Sequence, residues 1–308
     1  MPLDIVFMGT PDFAVPCLAR LLADGHRVRG VFCQPDRPKG RGMSLMPPPV
    51  KAFALERGLP VFQPDKLRDG AALSLLRELN PELIVVVAYG RILPPDILAL
   101  PQLGCVNAHA SLLPRLRGAA PIQWSVINGD KETGVTTMYM AGELDAGDII
   151  LKRSLPILEE DDSGSLFEKL APLGAELLGE TISLIEKGNA PRAPQEEGSV
   201  TFAPPITKET ARLSFLAEPE SFCNLVRGLC PSPGAVASLA GEPLKIYRAA
   251  PVPGIKGEPG ELLDPSRLTV GCGEGAVELL EVQPQGKKRM EGRAWLNGRR
   301  DIAGKRFM

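Results

Sequence analysis

An α/β fold is what this 308-residue sequence predicts, and three observations predict it. Across the first 188 residues short apolar runs alternate with helix-like stretches, the order of a sheet wrapped by helices. One of those runs, LIVVVA at 83–88, is apolar at every position, as a strand covered on both faces has to be. Beyond residue 206 the texture changes to short β-like runs broken by Gly and Pro. The chain therefore reads as a doubly wound, Rossmann-like N-terminal domain followed by a small C-terminal β-barrel of OB-like type.

The elements follow in order. DIVFMG (4–9) is the first strand and ends at Gly9. TPDFAVPCLARLLADG (10–25) reads as a helix that Thr10 caps, Pro11 opens and Gly25 stops. RVRGVFCQ (27–34) and LPVFQP (59–64) are further strands, with PVKAFALERG (49–58) helical between them and GAALSLLRELN (70–80) helical before LIVVVA. GCVNAHA (104–110) is the next strand, followed by helix-like APIQWSVING (120–129). TGVTTMYM (133–140) and GDIILKRSLPI (147–157) close the sheet, divided by AGELDAGD. A long helix covers 163–188, with Pro172 as a kink point and the acids Glu159 to Asp162 at its positive N-terminal end. NAPRAPQEEGSVTFAPPI (189–206) has four prolines and almost no apolar periodicity, the composition of a linker. One helix (219–229) then precedes the short strands of the barrel. The expected domains are 1–188, a linker at 189–206, and 207–308.

Composition narrows the function. No apolar run approaches the ~18–20 residues of a membrane span, and MPLDIVFMG lacks a basic leader and cleavage site, so a cytoplasmic protein is expected. The six cysteines are scattered without a Cys-x-x-Cys pair, which fits reduced core thiols. With two histidines in the whole chain, little is left to ligate a transition metal, and none is expected; a carboxylate Mg²⁺ site stays open. No G-x-G-x-x-G follows any strand, which speaks against a dinucleotide. The net charge of −2 gives no global signal for nucleic acid.

One of the two histidines stands in VNAHASLLPRLRGAAP (106–121), two residues after Asn107. Side chains two apart on a strand share a face, so Asn107 and His109 project together from the carboxyl end of their strand. Ligands bind at that end in open α/β sheets. The site is expected at a sheet edge rather than in the core. GELDAGD offers Asp145 and Asp148 in a Gly-rich turn, either within reach of His109. An Asp orients an imidazole and an amide donates to a developing oxyanion, a pairing suited to addition at a carbonyl. No Ser or Cys sits in a nucleophile-elbow pattern, which speaks against a Ser-His-Asp hydrolase. The alternative is a hydrogen-bonded core histidine beside a turn asparagine.

The Asn-x-His, Ser-Leu-Leu-Pro and Leu-Asp-x-Gly-Asp motifs of 106–150 resemble the folate-dependent formyltransferases. FMGTPDFAVPCLARLL, the KGRG loop, RGLCPSPGA and VQPQGKKRM extend the resemblance over nearly the whole chain, towards the branch whose acceptor is charged tRNA. Within it, LCPSPGA carries Cys230 and Ser232 where that family more often has Asn and Trp. The resemblance implies that 10-formyltetrahydrofolate is the co-substrate and initiator methionyl-tRNA the acceptor. Asn107 would hydrogen-bond the formyl oxygen, His109 would stabilise the tetrahedral oxyanion, and Asp145 would orient and charge His109. Ser111, Leu112, Leu113 and Pro114 would line the folate pocket. A related formyltransferase or formyl-folate hydrolase acting on a small molecule is the alternative.

Two stretches carry local positive charge. From Gln283 onward there are eight basic residues, among them Lys287, Lys288 and Arg289, against Glu291 and Asp301. From Arg37 to Lys51 there are four basic residues, including Lys39 and Arg41, and no acid. Both are expected to contact tRNA phosphate, with a merely solvated basic surface as the alternative for each. Five prolines and two glycines exclude a regular helix or central strand from PDRPKGRGMSLMPPP (35–49).

Overall fold

The computed structural model describes residues 2–39, 44–264, 266–297, 299 and 304–308, and of Lys39 the backbone only. In its N-terminal half the strands are β1 (Asp4–Gly9), β2 (Arg27–Phe32), β3 (Arg37–Lys39), β4 (Ser44–Met46), β5 (Val61–Phe62), β6 (Leu83–Val87), β7 (Cys105–His109), β8 (Arg117–Gly118), β9 (Glu132–Tyr139), β10 (Ile149–Pro156) and β11 (Phe202–Ala203). The helices are α1 (Val15–Ala23), α2 (Pro49–Leu55), α3 (Ala71–Leu79), α4 (Pro95–Leu98), α5 (Pro121–Ile127) and α6 (Ser163–Glu186). Among the described residues a seven-stranded sheet runs in the order β10-β9-β7-β6-β1-β2-β5. The pairs β1–β2, β1–β6, β2–β5 and β6–β7 are parallel, and β9 joins β7 antiparallel.

Both faces of this sheet are covered. In β1, Ile5 and Phe7 alternate with Val6 and Met8, and none of the four is exposed. Every residue of β6 is buried, as its uniform apolarity requires. In α1 the inward stripe is Cys17, Leu18 and Leu21. Thr10 is not a cap: its hydroxyl donates to the Tyr89 carbonyl at 3.1 Å and accepts from Gln34 N at 3.3 Å. A 3₁₀ turn over Asp12–Ala14 leads into α1 instead, so the threonine joins strand ends. Gly25, with φ of 82°, does end the helix. The proline-rich loop forms a small hairpin, β3 against β4, outside the main sheet. Lys51 bridges both carboxylate oxygens of Asp36 at 2.8 Å and Gln63 Oε1 at 2.7 Å, joining residues on either side of that hairpin.

The C-terminal part contains α7 (Pro219–Gly228), β12 (Ala235–Leu239), β13 (Glu242–Pro251), β14 (Leu262–Asp264), β15 (Thr269–Cys272), β16 (Gly275–Pro284), β17 (Met290–Glu291) and α8 (Gly292–Leu296). Its sheet runs β12-β13-β16-β15-β14, with β17 on β16. Phe215, Phe222, Ile246, Leu279, Trp295 and Phe307 belong to one buried cluster. The expected barrel is not closed by a ladder among the described residues. Its two sides meet through isolated bridges, Leu239 with Phe307 and Glu261 with Arg306. β14 keeps only three residues, and Pro253 and Pro259 nearby offer no N–H to extend a ladder.

The chain divides into two compact units that are discontinuous in sequence. One holds the residues up to Pro121, Thr133–Leu155 and Phe167–Ala203, and the other holds Ile122–Glu132, Pro156–Leu166 and Pro204 onward. The stretch whose composition reads as a linker, 189–206, thus belongs to the first unit as far as Ala203. Its prolines do not stop it pairing, because it uses short bridges: Ala193 with Ile149, and β11 with β8.

Candidate active site

His109 is the last residue of β7, and Asn107 stands two before it. β7 lies between β6 and β9, so the site is at a strand end inside the sheet and not at its edge. β9 pairs antiparallel with β7, and the AGELDAGD turn that leads from β9 to β10 carries Asp145 back beside His109. His109 is only 7% exposed. Its Nε2 lies 2.9 Å from the Leu116 carbonyl, which can only accept, so Nε2 carries a proton. Nδ1 faces Asp145 Oδ2 at 3.7 Å, too long for a direct hydrogen bond. Among the described residues the Asn107 side chain has no hydrogen-bond partner, which leaves its amide for a ligand.

Asp145, not Asp148, faces the imidazole. Asp148 lies 3.7 Å from Arg192, whose guanidinium stacks on Tyr139. The Asp145 carboxylate is 11% exposed and accepts from the Gly118 N–H at 2.8 Å. Asp145 has φ of 50°, a left-handed conformation costly for most residues but tolerated by Asp. Two residues on, a Cβ at Gly147 would stand 1.7 Å from the Tyr139 carbonyl, so only glycine lets the turn close on β9.

The loop after β7 is held from several sides. Ser111 Oγ donates to the Arg115 carbonyl at 2.7 Å. Thr136 Oγ1 donates to the Ser111 carbonyl at 2.7 Å and accepts from Leu113 N at 3.1 Å. Leu113 is wholly buried with Met138 and Ile149, and Lys152 donates to its carbonyl. Leu112 and Pro114 are half-buried. The structure thus puts the Ser111 hydroxyl and the Leu113 side chain to work inside the protein. Of the four loop residues expected to line a pocket, Leu112 and Pro114 are the two whose side chains keep some exposure.

The basic candidates are placed unequally. Lys39 is in β3 opposite Ser44, and Arg41 lies outside the described residues. Lys287 and Lys288 are exposed in the turn between β16 and β17. Arg289 stacks on Tyr247 at 3.4 Å, donates one hydrogen bond to the Pro231 carbonyl at 3.2 Å and lies 3.9 Å from Glu281, so its guanidinium is already held within the protein. Among the described residues no cluster of His, Cys, Asp and Glu could hold a metal ion, and no helix is long and apolar enough to cross a membrane.

Residues with no signal of their own in the sequence complete the corner. Thr136 is visible there only as one member of an alternating strand. Gln195, Thr201 and Ala203 sit in the Pro-rich stretch, whose composition gives no hint of them. Leu116 N donates to Thr201 Oγ1 at 2.9 Å, and Ala119 N to the Ala203 carbonyl at 2.9 Å.

Residues 3–182 match the family model described as formyl transferase, and residues 205–300 match the formyl transferase C-terminal domain. The chain belongs to the formyltransferase family. This formyltransferase is 52% identical to the methionyl-tRNA formyltransferase of Moorella thermoacetica, over 96% of both chains. It is 48% identical to the protein of that name in Geobacter metallireducens, again over 96% of both. Among solved structures, the N-formyltransferase of Helicobacter canadensis, in complex with folinic acid and dTDP-3-aminofucose, matches with a TM-score of 0.70 at 17% identity, covering 92% of this chain and 99% of that one. HypX from Aquifex aeolicus, in complex with tetrahydrofolic acid, matches with a TM-score of 0.66 at 18% identity over 96% of this chain, which spans about half (47%) of HypX. At such identities the two structures speak for the fold.

Proposed function

We propose that this formyltransferase moves the formyl group of 10-formyltetrahydrofolate to the α-amino group of methionine on initiator methionyl-tRNA. The observation that carries this reading is identity of about half over 96% of both chains to proteins named methionyl-tRNA formyltransferase. In that reading the chain works in the cytoplasm. The catalytic domain, read from composition as 1–188, takes in residues as far as Ala203 as well, and the C-terminal sheet within 207–308, an open relative of the OB-like barrel, binds the tRNA. Lys39, Arg41, Lys287, Lys288 and Arg289 serve the phosphates, the first two from the loop over the acceptor end.

The chemistry follows from the corner. The Asn107 amide donates to the formyl oxygen and keeps that bond as negative charge develops there. The resemblance implies that His109 stabilises the oxyanion, but with Nε2–H committed to the Leu116 carbonyl it is left with Nδ1, which suits it to take the proton that leaves the attacking amine. Asp145, 3.7 Å from Nδ1, stabilises the charged imidazole by its field while that proton passes on to the departing folate nitrogen. One carbon–nitrogen bond forms and another breaks, with no acyl-enzyme. An α-amine of pKa near ~8 keeps a useful neutral fraction at pH 7, so no strong base is needed. Leu112 and Pro114, with backbone groups of their loop, face the folate.

The test is to offer the purified protein 10-formyltetrahydrofolate with methionyl initiator tRNA, uncharged tRNA or a nucleotide-linked amino sugar. Formylmethionine should be released by ester hydrolysis from the first alone. Formylation of the sugar in its place would establish the small-molecule alternative.

A further inference from the structure

Gln195 sits in the stretch whose composition resembles a linker, yet it touches two parts of the catalytic corner. Its Oε1 accepts from Arg117 Nε at 3.0 Å. Its Nε2 donates to the Asp145 carbonyl at 2.7 Å and the Gly147 carbonyl at 2.9 Å. The orientation of this amide is dictated by its partners. A guanidinium only donates and a carbonyl only accepts, so a flipped amide would face donor with donor and acceptor with two acceptors. Arg117 is itself 4% exposed, and its Nη2 has an ion-pair contact at 3.5 Å to the exposed Glu197 but no hydrogen bond. Its Nε bond to Gln195 is therefore expensive to lose.

The turn that Gln195 grips is the one that needs a grip. Asp145 has φ of 50°, and such a conformation persists only where its surroundings hold it. A second hold converges there. The Gly118 N–H binds the Asp145 carboxylate, and Gly118 is held in turn by the pairing of β8 with β11. A Cβ at Gly118 would stand 2.7 Å from the Ala203 carbonyl, which shows how closely the two backbones approach. Residues 195–203 thus fix Asp145 twice, at its backbone through Gln195 and at its carboxylate through Gly118.

We propose that Gln195 is a positioning residue for formyl transfer, acting through Asp145 by locking the 145–147 turn so that the carboxylate faces His109. This rests on the reading of Asp145 and His109 as the reacting pair. A displacement of about 1 Å in such a pair costs on the order of 10²-fold in rate. Two variants separate positioning from folding. Gln195→Glu keeps the shape and replaces the two donors with an acceptor, and Gln195→Met keeps the length with neither.

The experiment measures kcat and both KM values for the wild type, Gln195→Glu, Gln195→Met, Asp145→Ala and the double variant Asp145→Ala/Gln195→Met, each checked by thermal unfolding. The expected result is a fall of roughly 10–10²-fold in kcat for whichever Gln195 variant is folded, with both KM values within about twofold. In the Asp145→Ala background Gln195→Met should cost nothing further. A Gln195→Met protein with wild-type kcat beside a crippled Asp145→Ala overturns the positioning role alone. The same fall in kcat with and without Asp145 also overturns it, because Gln195 would then act elsewhere. Full activity of Asp145→Ala would overturn the catalytic reading beneath it.

Discussion

His109 is 7% exposed and each of its ring nitrogens faces an oxygen of the protein, whereas Lys287 and Lys288 stand in solvent on the turn between the ten-residue β16 and the two-residue β17. The two regions are built to opposite requirements. In the proposed reading formyl transfer uses an amide donor, an imidazole and a carboxylate in fixed positions, and β7, β9 and residues 195–203 are what hold those three side chains. Holding a polyanion needs charge that reaches phosphates by many weak, interchangeable contacts, and long exposed lysines do that without a fixed geometry. Substitutions in the first region should therefore change turnover, and substitutions in the second should change affinity and its dependence on salt.

The contrast breaks most visibly, if it breaks, at the catalytic corner. Asn107→Ala and Asp145→Ala should each lower kcat by ~10²–10⁴-fold, the range for removal of an oxyanion donor or acid–base group. Steady-state kinetics should show the KM for methionyl-tRNA almost unmoved. A rise in that KM as large as the fall in kcat would mean that the corner binds tRNA as well. Gly118→Ala tests the support of the corner. With φ of 124° and a Cβ 2.7 Å from the Ala203 carbonyl, the backbone must shift and carry with it the N–H that holds Asp145. A fall in kcat of about 10–10²-fold is expected; unchanged turnover would make the Gly118–Asp145 bond dispensable.

The basic turn should respond differently. Replacing Lys287 and Lys288 together by Ala should flatten the plot of log affinity for tRNA against log salt by about 1.4–1.8, because each phosphate left without its lysine takes about 0.7–0.9 off the slope. Turnover at saturating tRNA should stay as it was, and an unaltered slope would move the phosphate site away from this turn. The smallest effect is expected at the thiols. All six cysteines are buried and free, and burial pushes the thiols of Cys17, Cys105 and Cys223 up to about 12 and that of Cys33 to about 11. At pH 8 the reactive thiolate is almost absent. Iodoacetamide should leave formyl transfer unchanged over the course of an assay, and rapid inactivation would show that one of these packed regions opens.

Local chemistry made the corner readable in the sequence, and long-range pairing hid its support. The uniform apolarity of LIVVVA and the two-residue spacing of Asn107 and His109 are properties of one strand, so they survive without a structure. The choice between Asp145 and Asp148 is not local: it depends on which residue of the turn takes the left-handed conformation that Gly118 N–H and Gln195 stabilise. The edge position expected for the site failed for a similar reason, since β9 returns antiparallel onto β7 and makes it an interior strand. Residues 189–203 pair through one isolated bridge, a two-residue ladder and a side-chain amide, contacts too short to leave a periodicity to detect. The open ladder of the C-terminal sheet was equally hidden, since strand spacing reveals the strands and not whether their last edges pair.

Single-turnover transfer, with protein in excess over methionyl initiator tRNA and saturating 10-formyltetrahydrofolate, isolates the chemical step from binding and release. Measured side by side, the wild type and His109→Ala should bind the tRNA with the same affinity, while the rate of formylmethionine formation falls by ~10²–10⁴-fold in the variant. A folded His109→Ala protein that forms formylmethionine at close to the wild-type rate would contradict the assignment of the chemistry to this corner.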